Sequence, residues 1–140
     1  MNLGVTGHLP DRLHGQSHLI YKWCEAQIIN YKPTLCLSGM GGRQWSVLSA
    51  RAVLSNNYSL WCIFPYRKNI EYLNNFIDNA VKVTYTQIKY SKDCYFIRNK
   101  YLVDNSDVLL VIWDKKEIGG TWFTIKYAQS INKPIIYYYI

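Results

Sequence analysis

The sequence predicts an α/β fold: one open parallel sheet with helices on both faces, in a single domain. Three observations point there. Short apolar runs alternate with amphipathic stretches of helical length. The run Val108–Trp113 (VLLVIW) is apolar throughout, as a strand covered on both faces must be. Several runs end in glycine, proline or a small polar residue just ahead of a helical pattern, which is how βαβ units are punctuated.

The elements follow in order. Leu3–Thr6 is a short strand closed by Gly7. Ser17–Tyr31 reads as a helix, with Leu19, Ile20, Trp23, Ala26 and Gln27 loosely in period and Pro33 beyond its end. Thr34–Ser38 is a buried strand broken by Gly39. Gln44–Leu54 is a helix whose inward face is Trp45, Leu48, Ala52 and Val53. Leu60–Phe64 is a strand stopped by Pro65, Asn69–Val81 a helix and Lys82–Tyr85 a weak strand. Tyr95–Val103 is helical, Val108–Trp113 is the central strand, and Thr121–Ile131 is a helix opened by Gly119 and Gly120. Pro134–Ile140 is the last strand.

Length and composition bound the function. A chain of 140 residues is one domain's worth, since domains run to ~100–200 residues. With 49% hydrophobic and 18% charged residues it buries a core and is not disordered. Sixteen Lys and Arg against nine Asp and Glu leave +7, which favours anionic partners without choosing among them. No apolar run is long enough to span a bilayer, and the N-terminus lacks the basic start and apolar stretch of a secretory signal. The expected location is the cytoplasm, with no membrane partner. Cys24, Cys36, Cys62 and Cys94 are scattered and read as reduced, buried thiols. His8, His14 and His18 lack a metal-ligand pattern, so no metal is expected. No P-loop, Ser/His/Asp order or cysteine-nucleophile context appears, and no cofactor is expected.

In an open parallel sheet, ligands bind beyond the C-terminal strand ends. Here those ends hold Thr6-Gly7-His8, Ser38-Gly39-Met40-Gly41-Gly42-Arg43, Pro65-Tyr66-Arg67 and Asp114, with Gly119-Gly120-Thr121 shortly after. Glycine turns that feed helices offer free N–H groups and a helix dipole to phosphate. Arg43 and Arg98 could grip phosphate with their guanidinium forks, with Asn99 beside Arg98. Asp114 stands where a ribose-binding or catalytic acid usually stands. Trp45, Trp122 and Tyr66 flank the loops, where a flat ring could stack on a base. For each feature the plainer alternative is a tight turn, a helix cap, a solvated face or a core aromatic.

Together these loops resemble the SLOG superfamily of nucleotide-sensor proteins, in particular its short YspA-type branch. Val5-Thr6-Gly7-His8-Leu9-Pro10 and Leu13-His14-Gly15 resemble the opening motif, and Ser38-Gly39-Met40 with Gln44-Trp45 resembles the glycine loop. Phe64-Pro65, Arg98-Asn99, Val103-Asp104 and Ser106-Asp107 follow the same pattern. So do Trp113-Asp114, Gly119-Gly120-Thr121, Tyr127-Ala128 and Lys133-Pro134-Ile135. The resemblance implies a Rossmann-like fold and a nucleotide-type ligand. Leu9 replaces a usual arginine, and Arg43 a common aspartate, which makes the second loop more positive. Relatives that hydrolyse phosphoribosides carry a catalytic glutamate three residues after the Gly-Thr pair; Thr124 stands there.

The expected function is therefore binding without turnover of a phosphate-containing nucleotide signal, ADP-ribose-like or cyclic. Related sensor domains serve bacterial anti-phage systems, and small free-standing versions occur in phages. With no effector region in the sequence, a phage-encoded role in sequestering a host defence signal, in the host cytoplasm, is the expected setting. Thr6, Gly7, Ser38, Gly39, Gly41, Gly119, Gly120 and Thr121 would face phosphate; Arg43 and Arg98 would neutralise it; His8 and Asn99 would assist. Met40 and Pro65 shape the loops, Asp114 would meet a ribose hydroxyl, and Trp45 or Tyr66 the base. An N-glycosidic hydrolase or transferase using Asp114, Glu117 or Asp104 is the alternative. Single-stranded nucleic acid is a weaker third, and a homo-oligomer, a dimer through a helix or the last strand, is expected.

Overall fold

The computed structural model describes residues 1–7, 15–40, 45–67 and 70–140, with the side chains of Trp45 and Ser46 outside the description. Six strands form one parallel sheet: β1 (Asn2–Thr6), β2 (Leu35–Ser38), β3 (Leu60–Phe64), β4 (Lys82–Tyr85), β5 (Val108–Trp113) and β6 (Ile135–Tyr139). Their spatial order is β4-β3-β2-β1-β5-β6. The chain builds outward from β1 to β4, crosses back, and adds β5 on the other side of β1. Register pairs Val5 with Ser38 on one side and with Leu110 on the other.

Among the described residues five α-helices cover the sheet: α1 (Ser17–Tyr31), α2 (Trp45–Ser55), α3 (Asn74–Asn79), α4 (Cys94–Asp104) and α5 (Gly119–Ser130). One apolar layer joins Ile20, Cys24 and Ile28 of α1, Ala52 and Val53 of α2 and Phe76 of α3 to Val5, Cys62 and Leu110 of the sheet. The opposite layer joins Leu102 and Val103 of α4 and Ile125 and Ala128 of α5 to Leu37, Ile63 and Val111. Period-two alternation along the strands sends neighbouring side chains to opposite layers. That explains why β3 and β5 must be apolar on both faces. The Rossmann-like α/β class is therefore the observed one.

Two local expectations are corrected. The helix expected over Asn69–Val81 is only α3, preceded by a 3-10 turn at Glu71–Leu73 and ended by extended Ala80. Asn74, Asn75 and Asn79 are poor helix formers, because their amides compete for backbone partners; Asn79 Nδ2 donates to the Asn75 carbonyl at 2.7 Å. The inward face of α1 is Ile20, Cys24 and Ile28, spaced by four, while Leu19 and Ile29 face water. The last strand also divides its tyrosines. Tyr138 turns to the α1 layer, meeting Trp23 edge-on at 5.4 Å, while Tyr137 and Tyr139 stack at 5.3 Å on the other face.

Candidate functional site

The strand order reverses between β1 and β5, so their C-terminal ends, Thr6-Gly7 and Trp113-Asp114, flank the crevice that such a sheet offers a ligand. β2 delivers Ser38, Gly39 and Met40 to the same edge, and β3 delivers Pro65 and Tyr66. The helices that follow β1, β2, β4 and β5 all start at this edge. None of α1, α2, α4 or α5 has an acidic residue in its first turn. The positive ends of α1, α2 and α5 thus carry no acid in the first turn, while Asp93 stands at the N-cap of α4; uncompensated helix starts attract an anion.

Arg98 is the central side chain. It sits on α4, 6% exposed, and its Nη1 donates to the Gly39 carbonyl while its Nε donates to Asn99 Oδ1 at 2.8 Å. Tyr95, one turn earlier, lies with its ring centroid 5.9 Å from the guanidinium carbon. Burial pulls the Arg98 guanidinium down to about 10, still charged near neutral pH. Among the described residues no carboxylate pairs with it and no acceptor meets Nη2. A buried cation without a counter-charge is costly unless something anionic joins it. The fit at Gly39 is close: a Cβ there would stand 3.0 Å from Nη1, so the guanidinium would have to give by a few tenths of an ångström.

The chain leaves β2 through a local turn at Met40. Met40 is buried in the left-handed region (φ 46°), and its N–H donates to Ser38 Oγ at 3.3 Å. At the start of α5, Gly119 has φ 83°, which glycine alone adopts easily. Gly119 and Gly120 thus belong to the helix rather than preceding it, and no side chain caps them. Thr121 is buried in that first turn. Phe96 and Phe123, 4.4 Å apart, tie the first halves of α4 and α5 together, so Arg98 and Thr121 share one end of the helix pair.

The expected residues therefore fall into two groups on one edge. Arg98 bonds both Gly39 and Asn99, and Tyr66 meets Tyr95 beside it, while Pro65 is buried and its carbonyl accepts from Thr86 Oγ1 at 3.3 Å. Thr6, Gly7, Asp114, Gly119, Gly120 and Thr121 gather at the ends of β1 and β5. Asp114 Oδ1 accepts the Lys116 N–H at 3.0 Å, closing its own turn. His8, Gly41, Arg43 and the Trp45 side chain lie outside the described residues. Trp122 is not placed for a base: it stacks on Trp113 at 5.5 Å with planes 3° apart.

The acids considered for glycosidic chemistry thin out. Asp104 ends α4 at the opposite edge of the sheet and accepts the Tyr127 hydroxyl, so it is removed from the site. Thr124 occupies the position of the relatives' glutamate, and its hydroxyl donates to the Gly120 carbonyl at 2.9 Å. The cysteines offer no nucleophile. All four are free and buried; burial pushes Cys36 and Cys62 up to about 12, and Cys24 higher still. Among the described residues no group of His, Cys, Asp or Glu is placed to hold a metal ion. No described helix is long and apolar enough to cross a membrane.

Two residues were missed by the sequence reading. Tyr90 and Tyr95 gather on Tyr66, with centroids 5.7 and 6.3 Å from it. Their only signal was the Tyr-rich stretch ahead of Arg98, which a solvated helix face explains equally well.

No family model and no curated protein matches the chain. Among solved structures it is similar to TM1055, whose X-ray structure was a structural-genomics target. The TM-score is 0.65 at 20% identity, covering 96% of this chain and 71% of that one. The shared property is the fold, a Rossmann-like parallel sheet with helices on both faces.

Proposed function

We propose that the chain binds a phosphate-containing nucleotide-type molecule, without turnover, at the C-terminal edge of the sheet, as a member of the SLOG superfamily. The observation that carries this is Arg98: a buried guanidinium with no carboxylate partner among the described residues, beside a glycine loop and uncapped helix starts. The Arg98 fork takes phosphate oxygens, and the free N–H groups at the start of α5 take others. Arg43, two residues ahead of α2 in the sequence, adds charge. Retention without chemistry suits the sequestering of a defence signal.

The test is calorimetric titration with ADP-ribose and with a cyclic nucleotide, followed by mass spectrometry of what denatured protein releases. Intact ligand supports binding; free base and sugar phosphate would support the hydrolase instead, with Asp114 or Glu117 as the acid. Arg43→Glu is expected to abolish binding with the melting temperature unchanged, and unaltered affinity would count against the pocket. Association through β6, which ends the sheet, belongs to the same proposal; gel filtration at the monomer volume would remove that part.

A further inference from the structure

Tyr66 follows β3, Tyr90 lies in the connection after β4, and Tyr95 opens α4. Their rings meet pairwise at 5.7, 6.3 and 6.5 Å, with interplanar angles of 86°, 84° and 67°. This is the edge-to-face arrangement that aromatic rings favour. Among the described residues that form or flank the apolar layers of the core, none of the three appears. Tyr90 is 65% exposed and Tyr95 45%, so much of the cluster faces water. The cluster adjoins Arg98, whose guanidinium carbon is 5.9 Å from the Tyr95 centroid.

We infer that Tyr66, Tyr90 and Tyr95 form a stacking subsite for the nucleobase of the ligand, on the β3–α4 side of Arg98; this rests on the nucleotide reading above. A water-exposed group of rings beside a buried cation offers the two chemistries of a nucleotide, a π-face and a phosphate, next to each other. Stacking on tyrosine tolerates any base, since every base has a flat face. The hydroxyls at the rim can exchange hydrogen bonds with the base edge. Sugar phosphates lacking a base gain only the Arg98 side of the site.

The experiment compares AMP with ribose 5-phosphate by calorimetry on the full chain and on Tyr95→Ala, Tyr95→Phe and Tyr90→Ala, each checked for native circular dichroism. The wild type is expected to bind AMP at least about tenfold more tightly than ribose 5-phosphate, the scale of one stacked base. Tyr95→Ala should remove most of that preference while leaving ribose 5-phosphate unchanged, and Tyr95→Phe should keep it. Tyr90→Ala, at the most exposed ring, should weaken AMP in the same direction and guards against a Tyr95→Ala variant that fails to fold. Equal affinities in the wild type, or a preference that survives both alanine variants, would overturn the subsite while leaving phosphate binding intact. Equal losses for both probes in Tyr95→Ala would make it a positioning residue for Arg98 and overturn stacking. If neither probe binds, the nucleotide reading fails and the subsite falls with it.

Discussion

At the scale of single residues, the proposed site turns on Arg98 and its contact with Gly39. The guanidinium sits close on Gly39, where an added methyl would stand 3.0 Å from Nη1 and 3.1 Å from the carbon between its nitrogens and would push it aside by a few tenths of an ångström. Arg98→Lys keeps the charge and loses the planar fork, so the Gly39 and phosphate contacts can no longer be made together. Nucleotide affinity is expected to fall by about tenfold or more, the size of one lost charge-assisted hydrogen bond, while the fold persists. Titration calorimetry beside a thermal melt checks this, and undiminished affinity would show that Arg98 does not touch the ligand. The motif Arg98-Asn99 was legible in the sequence, but its burial was not. A helix carrying Tyr95, Lys100 and Tyr101 reads as solvated until the sheet beneath it is seen.

At the scale of elements, packing distances set the sharpest expectations. Gly4, in the middle of β1, faces Ser106 so closely that a Cβ would come within 2.1 Å of its Oγ. That Oγ already donates to the Leu102 carbonyl at 2.7 Å, so it has little room to yield. Gly4→Ala should lower the melting temperature by roughly 3–12 °C, the range for overpacking by about 1–3 kcal/mol in a chain of this size. Adding Ser106→Gly should restore part of the loss, and calorimetric scans of both variants test the pair. The layer under α1 gives a second expectation. Cys24, Cys36 and Cys62 keep their protons in the fold well above the ordinary thiol value of about 9. The unfolded chain releases those protons first, so their contribution is intact below pH 9 and is lost as pH rises toward 12. Each thiol costs about 1.4 kcal/mol per pH unit across that window. Arg98 works the other way, since its folded value of about 10 lies below the unfolded one, but only above pH 10 and as one group against three. Urea melts should therefore show stability falling from pH 9, and Cys62→Ala should make that fall shallower.

For the whole molecule, the question is whether the net charge of +7 acts as a surface field or through a pocket. A single-stranded nucleic-acid binder neutralising many phosphates would lose several orders of magnitude in affinity between about 50 and 200 mM salt. A pocket that grips one or two phosphates should lose only about three- to twelvefold over the same range, and titrations at both ends separate them. The sequence by itself determined the class: β3 and β5 occur at the expected residues because apolar runs buried on both faces leave no other placement, and the edge strand β4 falls on its short β-branched and aromatic run. It also placed a break at Gly39 directly after β2, since turns demand residue types that show locally. Which side of α1 is buried, how short α3 is, and the meeting of Tyr66 with Tyr90 and Tyr95 came only from the tertiary structure. Those depend on which surfaces the sheet presents and on contacts between distant parts of the chain, and neither leaves a periodic mark in the sequence.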